Sequence, residues 1–222
     1  METINIKSPK YPKLLKEIYT PPENLYLYGN KNLLYKKCIS IVGTRKLSSY
    51  GRKVINLLLT KTVKDMDVVI VSGLAVGTDA YVHSMCLKLG IDTIAVVPGC
   101  ISTAIPYPNR DLLTQIKAKG LIIAEYNKTI NLGKWLFIQR NRIIAGLSKD
   151  CIVIEAGVKS GSLTTANFAM DFNRNVYAIA GDIDSPTSLG CNELIKQGAE
   201  PIVSVEDFNQ IICIQKEQIS LF

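Results

Sequence analysis

Six short runs rich in isoleucine and valine recur along the chain and alternate with stretches of helical character. The runs lie at residues 38–42, 67–72, 92–97, 121–125, 151–156 and 176–180. They are apolar on both faces, as strands buried inside a parallel sheet are. The candidate helices lie at about 50–63, 77–89, 109–119, 138–147, 162–172 and 190–198. This alternation predicts an α/β fold with a doubly wound, mostly parallel sheet and right-handed crossovers.

The two ends of the chain depart from this pattern. Residues 11–30 predict a short helix, a break at two prolines, a short strand and a Gly-Asn turn. We therefore expect a lead-in of residues 1–36 packed on the core, followed by one main unit of residues 37–222.

The tail predicts an amphipathic helix, with Leu221 and Phe222 close behind it. Its apolar residues at helical spacing are Val205, Phe208, Ile211 and Ile212. Some of these side chains must cover the sheet, but a short tail cannot hide all of them. Because an exposed apolar patch is typical of a partner surface, we predict a homodimer.

Composition limits the classes of protein to which this chain can belong. Hydrophobic residues make up 47% of the 222 residues, which excludes a disordered chain. No apolar run approaches the ~18 residues that a membrane span needs, and the N-terminus lacks an apolar signal core. We therefore predict a cytoplasmic protein. The net charge of +7 favours polyanionic partners, although many proteins with other functions are mildly basic.

Cysteine and histidine usage argues against metal sites. The six cysteines are scattered without a C-x-x-C pair, so neither a disulfide framework nor a zinc site is predicted. His83 is the one histidine in the sequence and cannot form a histidine cluster.

Small and polar residues follow several of the predicted strands. Ligands of doubly wound sheets bind beyond the carboxyl ends of the strands, so these loops are candidate binding segments. Glycines at 73 and 77, and the Ser160-Gly161-Ser162 stretch, each precede a predicted helix. Such loops can hold an oxyanion with backbone N–H groups at a helix N-terminus. Alternatively, the glycines close tight turns and the serines cap the helices.

Cations also cluster on these loops, at Arg45, Arg110, Lys134, Arg140 and Arg142. An arginine at a strand edge can clamp phosphate with its planar fork, or it can form a surface salt bridge. Helical spacing places Arg140 on the apolar face and Arg142 nearly opposite. We expect the Arg140 stem to lie on the core and its head to reach the strand edge. Arg142 is expected to be solvated or to cap carbonyls.

Phe137, beside Lys134, can stack an unpaired base or serve as a hydrophobic staple of the helix behind it. Catalytic motifs, in contrast, are missing. The first strand is not followed by G-x-G-x-x-G, and the chain has no phosphate-binding G-x-x-x-x-G-K-[ST] motif. Asp79 and Glu155 are the carboxylates expected at the strand edge, and no spacing pairs them as acid and base.

Several motifs, in order, resemble the DNA-processing protein A (DprA or Smf) family. They read IVGTR, VSGLAVGTDAYVH, YPNRDLL, RNRIIAGLS, VIEAGVKSGSLTTANFA and GCNELIKQGA, from about residue 38 to 200. The resemblance implies an extended Rossmann-like domain that binds single-stranded DNA without cofactor or catalysis. It also implies a dimer that protects incoming strands during natural transformation and helps to load the RecA recombinase.

Carried over by position, the DNA-binding residues implied by the resemblance are Arg45, Ser72, Gly73, Lys134, Phe137, Arg140, Asn141, Ser160, Gly161 and Ser162. The chain departs from the family pattern at Ile138, which replaces a proline. Only residues 206–222 follow the stretch GAEPIVSV at 198–205, too few for the winged-helix-like domain of many members.

Two other functions remain open from the sequence. A related family of phosphoribohydrolases carries G-G-x-G-T-x-x-E on a similar fold, but Thr165 stands where its catalytic glutamate would be. A sensor of a phosphate-bearing ligand, with no role on DNA, is the other alternative.

Overall fold

The computed structural model describes residues 1–101, 106–128 and 133–219. Nine strands occur within those ranges and form one sheet. The strands are β1 (Glu2–Asn5), β2 (Asn24–Gly29), β3 (Lys37–Val42), β4 (Val68–Ser72), β5 (Asp92–Val97), β6 (Leu121–Ala124), β7 (Asp150–Val153), β8 (Asn175–Ile179) and β9 (Glu200–Ile202). Their order across the sheet is β1-β2-β6-β5-β4-β3-β7-β8-β9.

The sheet is parallel from β6 to β9, and β1 and β2 extend it antiparallel at one edge. The predicted doubly wound, mostly parallel fold is therefore confirmed. Each of the six predicted strands is present. The sequence did not predict β1 or β9, because both are short and polar, and β9 contains Pro201.

Helices cover both faces of the sheet. They are α1 (Lys13–Lys16), α2 (Ser49–Leu58), α3 (Lys61–Asp65), α4 (Thr78–Leu89), α5 (Arg110–Lys119), α6 (Lys134–Leu147), α7 (Gly161–Asp171), α8 (Leu189–Lys196) and α9 (Val205–Ile219). Side chains of α1, α6, α7 and α8 share one core layer. Those of α2, α3, α4 and α9 share the layer on the opposite face.

Two helix predictions needed correction. The helix expected over 50–63 is split into α2 and α3, because Leu59 and Thr60 have extended backbone. The helix expected from residue 138 begins at Lys134, after the extended residue Gly133. Phe137 therefore lies in the first turns of α6 and not in a loop.

The direction of winding reverses at β3. The chain continues from β3 to β4 on one side of it, whereas β7 pairs on the other side. Loops that leave β3 and β7 at their carboxyl ends therefore diverge to opposite faces and leave a crevice between them.

The lead-in segment adds to the sheet and to one core layer. Strand β2 pairs with β6, and the Tyr11 hydroxyl donates to Pro22 O at 2.7 Å. Leu15 and Ile18 lie so close to Gly146 of α6 that a Cβ there would clash. The division of the chain at residue 36 stays a prediction.

The tail helix α9 is amphipathic, as expected, but three of its apolar residues are not available to a partner. Phe208, Ile211 and Ile212 are buried in the layer that holds α2 and α4. The prediction of an exposed patch at these three residues was therefore wrong, because all three side chains pack in the core layer that contains α2. Leu221 and Phe222 lie outside the described residues. No helix in the described part of the chain is long and apolar enough to span a bilayer.

Candidate functional site

A cavity of about 690 Å³ opens at the carboxyl edge of the sheet, at the reversal point beside β3. The loops after β3 and β7, and the first turns of α6 and α7, supply most of its walls. Five cations line it, and Asp79 is the one acid among its described lining residues. The cations are Arg45, Lys46, Lys134, Arg140 and Lys159.

Arg140 holds the strand ends beneath this cavity. Its side chain is buried, and Nη1 donates to Gly73 O and to Val96 O, the latter at 2.6 Å. The stem therefore lies on the core and the head reaches the ends of β4 and β5, which confirms the prediction. A Cβ at Gly73 would collide with the guanidinium, so glycine is required there for close approach.

Asp79 accompanies Arg140 in the buried layer and accepts a hydrogen bond from Ala75 N at 3.3 Å. Burial raises the pKa of the Asp79 carboxyl, and the nearby Arg140 opposes this shift. Burial also lowers the pKa of Arg140 to about 10, so the guanidinium remains charged at neutral pH. A buried cation and a buried carboxylate thus lie side by side under the site.

His83 lies in α4, fully buried. Its Nδ1 is 2.7 Å from Thr93 Oγ1, and the Thr93 hydroxyl donates to Ile70 O at 2.9 Å. Because that hydroxyl proton is already used, Nδ1 carries the proton of the neutral imidazole and donates it. Burial and then the charge of Arg140 lower the pKa of His83 to about 3.

We expect stability to fall as the pH drops from about 6.5 toward 3, because unfolding frees His83 to take up a proton. Above the pKa of His83 in the unfolded chain, near 6.5, this contribution to stability is complete. Between that value and the folded pKa of about 3, stability falls by up to ~1.4 kcal/mol per pH unit. Urea denaturation across this window measures the slope. His83→Gln should make the slope shallower, and an identical slope in the variant would exclude His83 as its source.

An aromatic ring and a guanidinium face each other at the cavity. Arg45, on the loop after β3, is exposed, and its Cζ lies 5.6 Å from the centroid of the half-buried Phe137 ring. Both residues line the cavity, and the exposed Lys134 lies one turn before Phe137 on α6. A flat ring, a planar cation and an ammonium group therefore border one space.

The loop after β7 forms the opposite wall. Ser160 caps α7 by accepting from Ser162 N at 3.4 Å, and Asn141 Nδ2 donates to Gly161 O at 3.2 Å. A Cβ at Gly161 would meet no atom within 4 Å, so this stretch borders open space. The serine cap expected as one alternative is present, and the loop also lines the cavity.

The loop after β4 behaves differently. The Ser72 hydroxyl donates to Ile41 O at 2.7 Å, and Gly73 packs on Arg140, so neither residue lines the cavity. Gly77 adopts a φ of 86° and packs on the backbone of Thr44 and Arg45. Thr78 N, at the N-terminus of α4, donates to Thr44 O at 3.1 Å and is not open to an anion.

The structure thus brings together eight of the ten residues singled out for DNA binding. They are Arg45, Lys134, Phe137, Arg140, Asn141, Ser160, Gly161 and Ser162. Ser72 and Gly73 lie behind Arg140. Sequence reasoning did not select Lys46, Lys159 or Thr164, which also line the cavity. Lys46 and Lys159 are next to the selected Arg45 and Ser160 on the same loops, which was the available signal, whereas Thr164 lies in the first turn of α7.

Arg142 and Arg110 take other roles. Arg142 was expected to be solvated or to cap carbonyls, and this was wrong. It is buried and pairs with Glu125 Oε1 at 2.6 Å. A helical wheel cannot show that the lead-in segment covers this face of α6. Arg110 lies away from the cavity, over the ring of Tyr107.

Glu155 ties the two divergent loops together. This buried carboxylate accepts from Ser48 N at 2.9 Å and Ser48 Oγ at 2.5 Å, and from Thr187 Oγ1 at 3.1 Å. Its backbone carbonyl also accepts from Thr44 N at 2.7 Å, next to Arg45. The position of Arg45 therefore depends on the end of β7. No group of three His, Cys, Asp or Glu residues with metal-site geometry occurs within the described ranges.

Comparison with known proteins matches this chain to one family. The family model described as DNA recombination-mediator protein A matches residues 2–212. The DNA processing protein DprA of Bacillus subtilis is 41% identical over 93% of this chain and 70% of its own length. The Smf protein of Synechocystis is 42% identical over 88% of this chain and 50% of its own length. The chain therefore spans about half to about 70% of these relatives.

Solved structures agree with the sequence matches. DprA of Streptococcus pneumoniae superposes with a TM-score of 0.87 at 38% identity, over 93% of this chain and 72% of that one. DprA of Helicobacter pylori, described for its single-stranded DNA binding mode, gives 0.85 at 27% identity, over 98% and 97%. A molybdenum cofactor carrier protein of Chlamydomonas, at 14% identity and a TM-score of 0.53, shares only the fold. The fold, the site and the sequence matches together show that this chain belongs to the DNA recombination-mediator protein A family.

Proposed function

We propose that the protein binds single-stranded DNA in the cavity at the carboxyl edge, without catalysis. The observation that carries this proposal is the Arg45 guanidinium over the Phe137 ring, with Lys134 beside them. Sites for single strands combine a cationic groove with aromatic platforms, because an unpaired base offers a free π-face. The Helicobacter pylori relative, which is described as binding single-stranded DNA, supports the same function.

Each lining residue has a distinct proposed role. Arg45 and Lys134 contact phosphates, and Phe137 stacks a base. Asn141 and the Ser160–Ser162 loop offer hydrogen-bond donors to the backbone of the strand. Arg140, buried under the site, holds the ends of β4 and β5 through Gly73 O and Val96 O, and Ser72 links the end of β4 to Ile41 O of β3.

The wider cellular role rests on family membership. We propose that the protein protects incoming strands during natural transformation, helps to load RecA and works in the cytoplasm as a homodimer. No hydrolase chemistry is proposed. Thr165 stands where the related phosphoribohydrolases have their glutamate, and it is buried at the cavity wall.

Competition between a single-stranded oligonucleotide and the matching duplex tests the function. We expect the single-stranded oligonucleotide to bind with higher affinity than the duplex, because its bases can reach Phe137 whereas those of a duplex are stacked and paired. Equal affinity for both forms would refute the proposal. Calorimetric titration with a mononucleotide separates the alternatives, since a sensor of a small phosphate ligand would bind it tightly and ignore the strand.

Replacing Arg45 with alanine should weaken DNA binding and flatten its salt dependence. Each phosphate contact that is lost should reduce the slope of log affinity against log salt by about 0.7 for a single strand. Arg52→Ala is the matched control, because Arg52 is an exposed arginine of α2 that lies over the Tyr81 ring and does not line the cavity. An Arg45→Ala protein with unchanged slope and affinity would assign Arg45 to an ordinary surface role.

The proposed dimer has an apolar surface available to it. Tyr50, Leu57 and Val203 are exposed and line a second cavity of about 400 Å³ between α2 and the ends of β8 and β9. We expect Val203→Asp to shift the dimer toward monomer in light scattering at micromolar concentration. Tyr19→Asp is the control, because Tyr19 is similarly exposed and does not line this cavity. A monomeric wild-type protein under these conditions would contradict the dimer.

A further inference from the structure

A second aromatic and arginine pair lies on the surface outside the cavity. Tyr107, in the turn before α5, is 79% exposed, and Arg110 Cζ lies 5.0 Å from the centroid of its ring. A ring that is mostly in solvent does not contribute to the core, so packing does not explain its place. Like Arg45 and Phe137, the pair combines an arginine with an aromatic ring. The distance from Arg45 Cζ to the centroid of the Phe137 ring is 5.6 Å.

A buried amide holds this pair on the same edge of the sheet as the cavity. Asn109 is 5% exposed, and its Nδ2 donates to Leu74 O at 2.9 Å. Leu74 precedes Ala75, which lines the cavity. Tyr107 therefore lies just past the loop after β4 that borders the site.

The separation of the two pairs suits one continuous strand of DNA. Arg45 follows β3 and Tyr107 lies beyond β5, two strands away, which is about 10 Å at ~4.8 Å per strand. This corresponds to about three nucleotides at the stacked repeat of ~3.4 Å, and to fewer in a stretched strand. Pro106 and Pro108 flank Tyr107 and restrict its backbone, which reduces the entropy lost when the ring is ordered by a ligand.

We propose that Tyr107 and Arg110 form a second stacking site, which holds a base of the same single strand a few nucleotides from the one at Phe137. Tyr107 supplies the π-surface, and Arg110 orients the ring and contacts the adjacent phosphate. This inference rests on the proposed function of the cavity. It also defines a path for the bound DNA, which runs along the sheet edge from β3 toward β5.

Fluorescence anisotropy with a series of oligothymidylates tests the second site. The series should run from the shortest oligonucleotide that binds up to about 16 nucleotides, the upper range of a single-strand site. We expect Tyr107→Ala to weaken binding of the longer members by about five- to 150-fold and to leave the shortest unchanged. Tyr107→Phe should retain the wild-type affinity, because the ring is kept. Tyr19→Ala is the matched control, since Tyr19 is 80% exposed and contacts Phe172 at the far end of α7.

The outcomes separate this inference from the proposed function. If Tyr107→Ala binds every length as wild type does while Arg45→Ala binds weakly, the second site is refuted and the cavity function stands. Equal weakening at every length also refutes a separate site. If the wild-type protein binds no single strand, the proposed function itself fails.

Photo-crosslinking supplies a second measurement that does not depend on affinity. A halogenated pyrimidine placed at successive positions of one oligonucleotide should crosslink to Phe137 at one position and to Tyr107 at another, a few nucleotides away. Crosslinking to Phe137 without any position that reaches Tyr107 would overturn the inference.

Discussion

Replacing Arg140 with methionine should lower the free energy of unfolding by about 3–5 kcal/mol, the range for removing one partner of a buried charged pair. Methionine keeps much of the buried stem but leaves Gly73 O, Val96 O and the Asp79 carboxylate without their cationic neighbour. Urea denaturation measures the change. DNA affinity should fall as well, because Arg140 itself lines the cavity and its charge is lost.

A matched pair of variants checks the origin of this effect. Arg45→Met removes the same type of charge from an exposed position and should change stability by no more than ~0.5 kcal/mol. Adding Asp79→Asn to Arg140→Met should recover part of the loss, because the unpaired carboxylate is removed. An Arg140→Met protein as stable as wild type would show that the guanidinium does not hold the strand ends.

Replacing Glu155 with leucine should cost about 2–4 kcal/mol of stability, because three part-buried donors lose their acceptor and a fully buried unsatisfied donor costs ~1–3 kcal/mol. The donors at issue are Ser48 N, Ser48 Oγ and Thr187 Oγ1. The loop after β3 would lose its side-chain tie to Glu155 and keep only the bond from Thr44 N to the Glu155 backbone carbonyl, so we also expect weaker DNA binding through a less fixed Arg45. Glu155→Gln keeps one acceptor oxygen and should lose less on both measures. Equal stability of the leucine variant and wild type would contradict the tie.

The strands could be predicted because a strand that is buried on both faces consists mostly of apolar residues. Residues 38–42 contain one polar residue, Ser40, and residues 94–97 are apolar throughout; both segments lie in strands. Short edge strands lack this apolar run, so β1 and β9 are recognised only by their pairing with a neighbouring strand. The break between α2 and α3 likewise depends on two residues whose types are compatible with a helix.

The site residues could be predicted where their own loop determined their position. Arg45 lies just after β3, and Ser160 lies in the loop between β7 and α7, so both reach the carboxyl edge. The sequence could not show which loop residues face outward, because that depends on contacts between loops. Gly73 and Gly77 look like ligand-binding glycines, yet they make room for Arg140 and for the Thr44–Arg45 backbone. Arg142 and Phe208 were misjudged for the same reason, since distant segments cover them.

The buried Arg140 has a consequence for the electrostatics of the whole edge. Parallel strands end in carbonyl oxygens, whose partial negative charges repel an approaching phosphate. Two of these oxygens, on Gly73 and Val96, accept hydrogen bonds from the Arg140 guanidinium, which is buried and therefore only weakly screened by water. Arg140, with Asp79 beside it, thus offsets the negative partial charges of these two oxygens from beneath, before any surface lysine contributes. High salt, which weakens exposed cations, should leave this buried contribution largely in place.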